Sequence, residues 1–233
     1  GTRWNAAELR RRFAAAGLKD EFGLQQITEL GVVSGFDTAL PRDLILTQNG
    51  SGVGRVPSKI AAALQEEEGD GILSPPHEYL IFCPMATKRC STVAKDGVPD
   101  KRVIFDFEQM RNEEDGAGQH SINAGLARYD EELLKPLVLM TVTQFALWLG
   151  VLQLSGDVWV AKTDFSRFYR QLRKPTHEWW FQVVWACHRG MRIDFCQTFG
   201  DGSGPPACHV AADIYVNLVW AEYEEMQRQI QAG

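Results

Sequence analysis

This chain of 233 residues has no closely spaced pair of cysteines. Its five cysteines are scattered, and none stands in a C-x-x-C pair. This pattern predicts reduced thiols in an intracellular protein and argues against a disulfide framework. A zinc site would have to use Cys187-His188, Cys196 and Cys208-His209, and this spacing matches no standard zinc finger.

Positive charge is also scarce. The chain has 24 Lys and Arg against 30 Asp and Glu, which gives a formal net charge of −6. A protein that grips a polyanion usually has a basic face, so this balance counts against a complete nucleic-acid binder unless its basic residues are clustered. The hydrophobic fraction of 45% is enough for a core in one large domain or two small lobes.

A secretory signal is not expected, because residues 3–12 are rich in arginine and hold no apolar run. From Pro136 to Gly156 no residue is charged, and this run is long enough to cross a bilayer. Its Thr and Gln residues, and the strand-like segment that follows at once, favour a buried helix over a membrane span. We therefore expect an intracellular protein with no membrane partner.

The local patterns predict an irregular mixture of helices and strands. The pattern at residues 5–16 predicts an exposed amphipathic helix that ends at Gly17, and the pattern at residues 34–57 predicts an extended linker. Within that linker GSGVGR lacks the G-K-[ST] ending of a P-loop and predicts a plain loop.

Further elements are predicted downstream of this linker, and their mixed order favours an α+β fold over a doubly wound sheet. They are a helix capped by Ser58, a hairpin of YLIFCPM and RVIFDF around a charged turn, a helix at 131–153, a strand at 158–165, a hairpin of WWFQVVWAC and MRIDFCQ, and a last helix that starts at the prolines with Val210, Ile214 and Leu218 on one face.

Two short stretches have the residue types that chemistry needs. Asp164 ends a predicted strand, where a rigid backbone could hold a carboxylate against a hard divalent cation, and the aromatic Tyr169 follows five residues later. The glycine-dense stretch FGDGSGPPAC would let the backbone approach a flat ligand closely. Taken alone, the first is more often a turn-forming Asp, and the second is more often a simple strand-to-helix turn.

Four segments in order resemble the fingers and palm of reverse transcriptases from retroelements. DFSRFYRQ resembles the first palm motif, D-L-x-x-A-Y-x-Q, and Phe199-Gly200 with Pro205 resembles the second, F-G-L-x-x-A-P. ALQEEEGDGILSPP and KDGVPDKRVIFDFEQMRN resemble the lead-in helix and the fingers hairpin. The resemblance covers roughly residues 58–231 and implies an RNA-directed DNA polymerase that uses Mg²⁺, deoxynucleotide triphosphates and an RNA or DNA template-primer.

The resemblance also implies site residues. Asp164 would be the catalytic carboxylate that binds the metal. The nucleotide would be bound by Lys95, Arg102, Phe165, Tyr169 and Gly200. In these roles Lys95 and Arg102 would contact the triphosphate and Phe165 would offer its backbone to it. Tyr169 would lie under the sugar and reject a 2′-hydroxyl, and Gly200 would let the template or nucleotide pack against backbone.

The third palm motif, x-x-D-D, is absent before Gly233. We therefore expect a fragment of a longer polyprotein that is inactive by itself, with an N-terminal helix and linker at 1–57, a fingers-like region at 58–127 and a palm-like region at 128–233. The acidic balance and the missing acidic pair favour an alternative. In that alternative the chain is a non-catalytic reverse-transcriptase-like domain that binds RNA or a protein.

Overall fold

A computed structural model describes most of the chain. The described residues are 5–19, 28–33, 44–107, 141–154, 156, 160, 165, 167–186, 189–198 and 200–232. Their elements are α1 (Ala6–Ala15), β1 (Leu44–Ile45), α2 (Ser51–Arg55), α3 (Pro57–Gly69), β2 (Met85–Lys95), β3 (Val98–Asp106), α4 (Val142–Gln153), α5 (Phe168–Gln171), a 3₁₀-helix (Thr176–Phe181), β4 (Val183–Trp185), β5 (Met191–Ile193) and α6 (Gly204–Ala232).

Strand β2 is the centre of a mixed sheet. Its first residues pair in parallel with β1 at Met85 and with β4 at Thr87, and its outer part pairs antiparallel with β3. Strands β4 and β5 form a second antiparallel pair. The predicted α+β class is confirmed, but the sheet is not purely antiparallel. Strands β1 and β4 are joined to β2 by long connections, which allow parallel pairing.

The first hairpin is shifted from its predicted place. Strand β2 begins at Met85, so YLIFCPM contributes only its last residue. Most of the predicted charged turn is strand, because Asp96 and Gly97 alone reverse the chain, with φ of 53° and 74°. Two positive φ angles match the twist of a tight hairpin, so pairing continues outward to Lys95 and Val98.

The prediction of a loop for the glycine-rich segment GSGVGR is wrong, because Ser51–Arg55 form the short helix α2. Its glycines allow close packing on β2. A β-carbon placed on Gly50 would lie 2.5 Å from Ser91 Oγ, and one on Gly52 would lie 1.9 Å from Thr92 Oγ1. Helix α3 then begins at Pro57 with Val56 as its N-cap, so the predicted cap at Ser58 is also wrong.

Two apolar clusters hold these elements together. The first joins α2 and α3 to the sheet through Val53, Ile60, Leu64, Leu73, Cys90, Phe105, Val184 and Ala186. The second joins α1 to α6 through Leu9, Phe13, Ala211, Ile214 and Leu218. The predicted first helix is confirmed, with Asn5 as its N-cap. The predicted apolar face of the last helix is also confirmed.

Helix α4 differs from the prediction of a buried helix. A capping box of Thr141 and Gln144 starts it, and none of its residues is buried. Leu147 is 67% exposed and Trp148 is 51% exposed. The prediction of burial was wrong here, because the run is apolar on every side but no described element covers it. No helix in the described part of the chain is long and apolar enough to cross a membrane.

The close packing of α2 on β2 gives a matched test. We expect Gly52→Ala to lower the free energy of unfolding by about 1–3 kcal/mol, because the added methyl group meets Thr92 and Asp100 Oδ1. Gly54→Ala is the control: nothing lies within 4 Å of its β-carbon, and alanine is the better helix former. Urea unfolding measures both, and equal stability of the two variants would contradict the packing described.

Candidate functional site

Asp164 lies outside the described residues, as does most of the strand predicted at 158–165, of which only Val160 and Phe165 are described. The half-buried ring of Phe165 stacks on Phe168 at 4.5 Å between centroids and meets Tyr215 edge-on at 5.0 Å. These contacts fix the residue that follows Asp164 against α5 and α6.

The glycine turn that precedes α6 lies against the end of β3. Gly200 is exposed and has a φ of 89°. A β-carbon there would lie 3.6 Å from both Phe105 O and Phe107 N, which is ordinary contact. Glycine is therefore needed for the backbone angle, and the backbone that approaches the turn most closely is that of β3.

Tyr169 lies at the other end of the same turn. A β-carbon on Gly204 would lie 2.7 Å from Tyr169 Cε1, so the ring packs where α6 begins. The half-buried ring also packs on the cluster of Val32, Leu172, Ala207 and Cys208. Helix α5, the glycine turn and the end of β3 thus meet in one region, and Tyr169 serves there as a packed aromatic.

A buried ion pair holds the turn in place. Lys174 Nζ lies 2.8 Å from Asp201 Oδ2, and both side chains are fully buried. Asp201 Oδ1 accepts hydrogen bonds from the backbone N–H and the hydroxyl of Ser203, at 2.9 and 2.6 Å. Burial alone would raise the pKa of Asp201, but Lys174 and Ser203 together lower it below its ordinary value.

A second group of buried charges joins α3, β2 and α5 to the segment after β5. Asp194 Oδ2 lies 2.9 Å from both Lys88 Nζ and Arg170 Nη1, and Arg170 Nη2 lies 2.6 Å from Glu67 Oε2. Burial would raise the pKa of Asp194, but Arg170 and Lys88 together lower it. Burial lowers the pKa of Lys88 to about 8 and raises that of Glu67.

Sequence reasoning missed this group, although one signal was present. Helix α3 ends in the acidic run EEEGD, and negative charge at a helix C-terminus opposes the helix dipole. Such an end needs cations from elsewhere. Three arginines supply them: Arg167 pairs with Glu66 and Asp70, Arg170 pairs with Glu67, and Arg192 pairs with Glu68.

The two cations predicted to contact a triphosphate are both exposed on the β2–β3 hairpin. Arg102 lies opposite Val93, three residues along β3 from Phe105, which is about 10 Å of strand. Lys95 pairs with Val98 at the far end and is five residues along β2 from Cys90, the partner of Phe105, which is about 17 Å of strand. Arg102 is therefore the nearer of the two to the glycine turn.

Within the described ranges, no group of three or more His, Cys, Asp or Glu side chains could hold a metal ion. Cys187 and His188, part of the zinc pattern considered above, lie outside those ranges, like Asp164. Comparison with protein-family models, curated proteins and solved structures finds no match to this chain.

The pair beneath the glycine turn predicts a pH effect. Asp201→Asn leaves Lys174 buried with less negative charge around it, so we expect a loss of about 3 kcal/mol in unfolding free energy at pH 7. The pKa of Asp201 is lower folded than unfolded, where it is about 3.9. Its stabilisation is therefore present above about pH 4 and lost as the pH falls through the folded value.

Urea unfolding from pH 7 down to pH 3 measures this effect. The difference between the wild-type chain and Asp201→Asn should shrink in the acid part of the range. Asp213→Asn is the control, since its side chain is 49% exposed and should cost under about 1 kcal/mol. Equal losses in both variants would show that the buried pair contributes nothing.

Proposed function

We propose that this chain is the nucleotide- and template-binding part of a reverse transcriptase, an RNA-directed DNA polymerase with fingers and palm. One observation carries the proposal. The glycine turn at Gly200 lies against the end of the β2–β3 hairpin, and Tyr169 lies where α6 leaves that turn. The three segments that resemble fingers hairpin, first palm motif and second palm motif therefore meet, as a shared nucleotide site requires.

The hairpin contributes the charge that such a site needs. Arg102 is exposed and permanently charged, and a guanidinium fits phosphate oxygens well. Lys95 lies at the far end of the hairpin. It would contact a phosphate only if the template or the hairpin extends across the glycine turn at Gly200. We assign Arg102 the main contact with the triphosphate and Lys95 a weaker, more distant one.

Magnesium would neutralise the triphosphate and activate a primer hydroxyl when bound. Asp164 is the one residue that the resemblance offers for it, and a two-metal site needs about three carboxylates. The described residues supply no such group. The described residues by themselves therefore do not fit a magnesium site, and the part of the reaction that we assign to them is binding and positioning.

A second candidate function is a non-catalytic domain of the same kind that binds RNA or a protein. The ion pairs favour it. Four basic residues surround Tyr169 in sequence, and three of them, Arg167, Arg170 and Lys174, are paired with carboxylates of the chain itself. With a net charge of −6, little basic surface remains to grip a long phosphate backbone.

Binding of a labelled RNA-template and DNA-primer duplex tests the proposal. We expect binding that weakens steeply with salt, and Arg102→Ala should lower the slope of log Kd against log salt by about 1. The control is Arg228→Ala, which removes another exposed arginine, near the far end of α6.

Fluorescence anisotropy across a salt series measures this slope. Adding the complementary deoxynucleotide triphosphate should tighten the complex, and a mismatched one should not. An affinity for the duplex that does not change when the nucleotide is added would favour the non-catalytic domain. If the chain does not bind the duplex at low salt, neither the polymerase function nor an RNA-binding domain is correct.

A further inference from the structure

Helix α6 is 29 residues long, about 43 Å, and all of its buried side chains lie in its first half. Ala211, Ile214 and Leu218 contact α1, and an ion pair of 3.0 Å joins Arg12 to Glu222. No residue of α6 after Leu218 is buried. A helical segment that packs on no described element gains little stability of its own, so its sequence indicates what would cover it.

From Val216 onward, the exposed side of α6 has a regular apolar seam. Its members are Val216, Val219, Tyr223, Met226 and Ile230. Their exposed fractions are 58%, 47%, 46%, 50% and 67% in that order. The spacing alternates three and four residues, which is the heptad pattern of a helix that pairs with another helix. The seam lies on a different side of α6 from the face that contacts α1.

The residues on either side of the seam would cause little charge repulsion between two copies of α6. In heptad terms its neighbours are Tyr215, Trp220, Glu222, Gln227 and Gln229. Glu222 is the single charge among them, and Arg12 of the same chain pairs with it. Such flanking charges usually select a partner of opposite charge, so a seam without them is compatible with its own copy.

The acidic residues Glu224 and Glu225 lie further from the seam, and each has a partner within α6. Trp220 Nε1 donates to Glu224 at 2.8 Å, and Arg228 lies 3.1 Å from Glu225. Two copies of α6 can therefore approach without placing unpaired like charges face to face.

We propose that this seam pairs with the same seam of a second copy, so that the chain forms a dimer through a short two-helix coiled coil. The residue types fit two helices. Two of the three residues at the first heptad position, Val216 and Ile230, are β-branched, which favours a pair over larger bundles, and the third is Tyr223. This pairing goes beyond nucleotide binding and does not depend on it.

Sedimentation equilibrium of the whole chain tests the dimer. The seam spans about two heptads, so we expect a Kd on the order of 10 µM. Val219→Lys and Met226→Lys should each raise the Kd at least tenfold, because a buried unpaired ammonium is costly. Val219→Leu with Met226→Leu should lower it, since leucine suits these positions in two-helix coiled coils.

Asn217→Lys is the matched control. It adds the same charge at an exposed position of α6 that adjoins Val216 in sequence but faces away from the seam, and we expect the dimer to survive it. Circular dichroism checks that each variant keeps its helix content, which an exposed substitution should not change. A wild-type chain that stays monomeric to about tenfold above the expected Kd would overturn the proposal. A dimer that resists both seam lysines, or one that Asn217→Lys breaks equally, would do the same.

Discussion

Asp194 is the buried charge on which the centre of this structure depends. Lys88 reaches it from β2 and Arg170 from α5, each at 2.9 Å, and all three side chains are shielded from water. A buried carboxylate is stable only with such partners, and removal of either cation would leave a charge without compensation. The sheet, the segment after β5 and the short helix beside the candidate site are therefore fixed relative to one another.

The same constraint explains how an acidic chain can contain a basic motif. The arginines after position 164 neutralise the acidic end of α3, so they hold two parts of the fold together. Lys174 likewise holds the glycine turn through Asp201. Since these cations are already paired, the proposed contacts with phosphate fall to exposed residues on the β2–β3 hairpin.

Local patterns predicted what local physics determines. Helices α1 and α6 were found from their apolar faces and their ends, because capping and periodicity act within a few residues. Lys88 and Asp194 are 106 residues apart, and no local pattern shows that they meet. Helix α4 was predicted to be buried from its composition, yet burial depends on a partner that composition does not specify.

The candidate site divides in the same way. Tyr169 and Gly200 were singled out by motif, and their closeness to one turn could not be read from spacing. Their contacts with β3 and Gly204 come from the tertiary fold. Asp164 stays a prediction, because it lies outside the described residues.

Close contact between α2 and β2 also restricts how this sequence can diverge. The space at Gly52 is filled by the hydroxyl of Thr92, which in turn bonds Asp100. A larger residue at position 52 would be accommodated only with a smaller one at position 92. The two positions should therefore covary among homologous sequences, although 40 residues separate them in the chain.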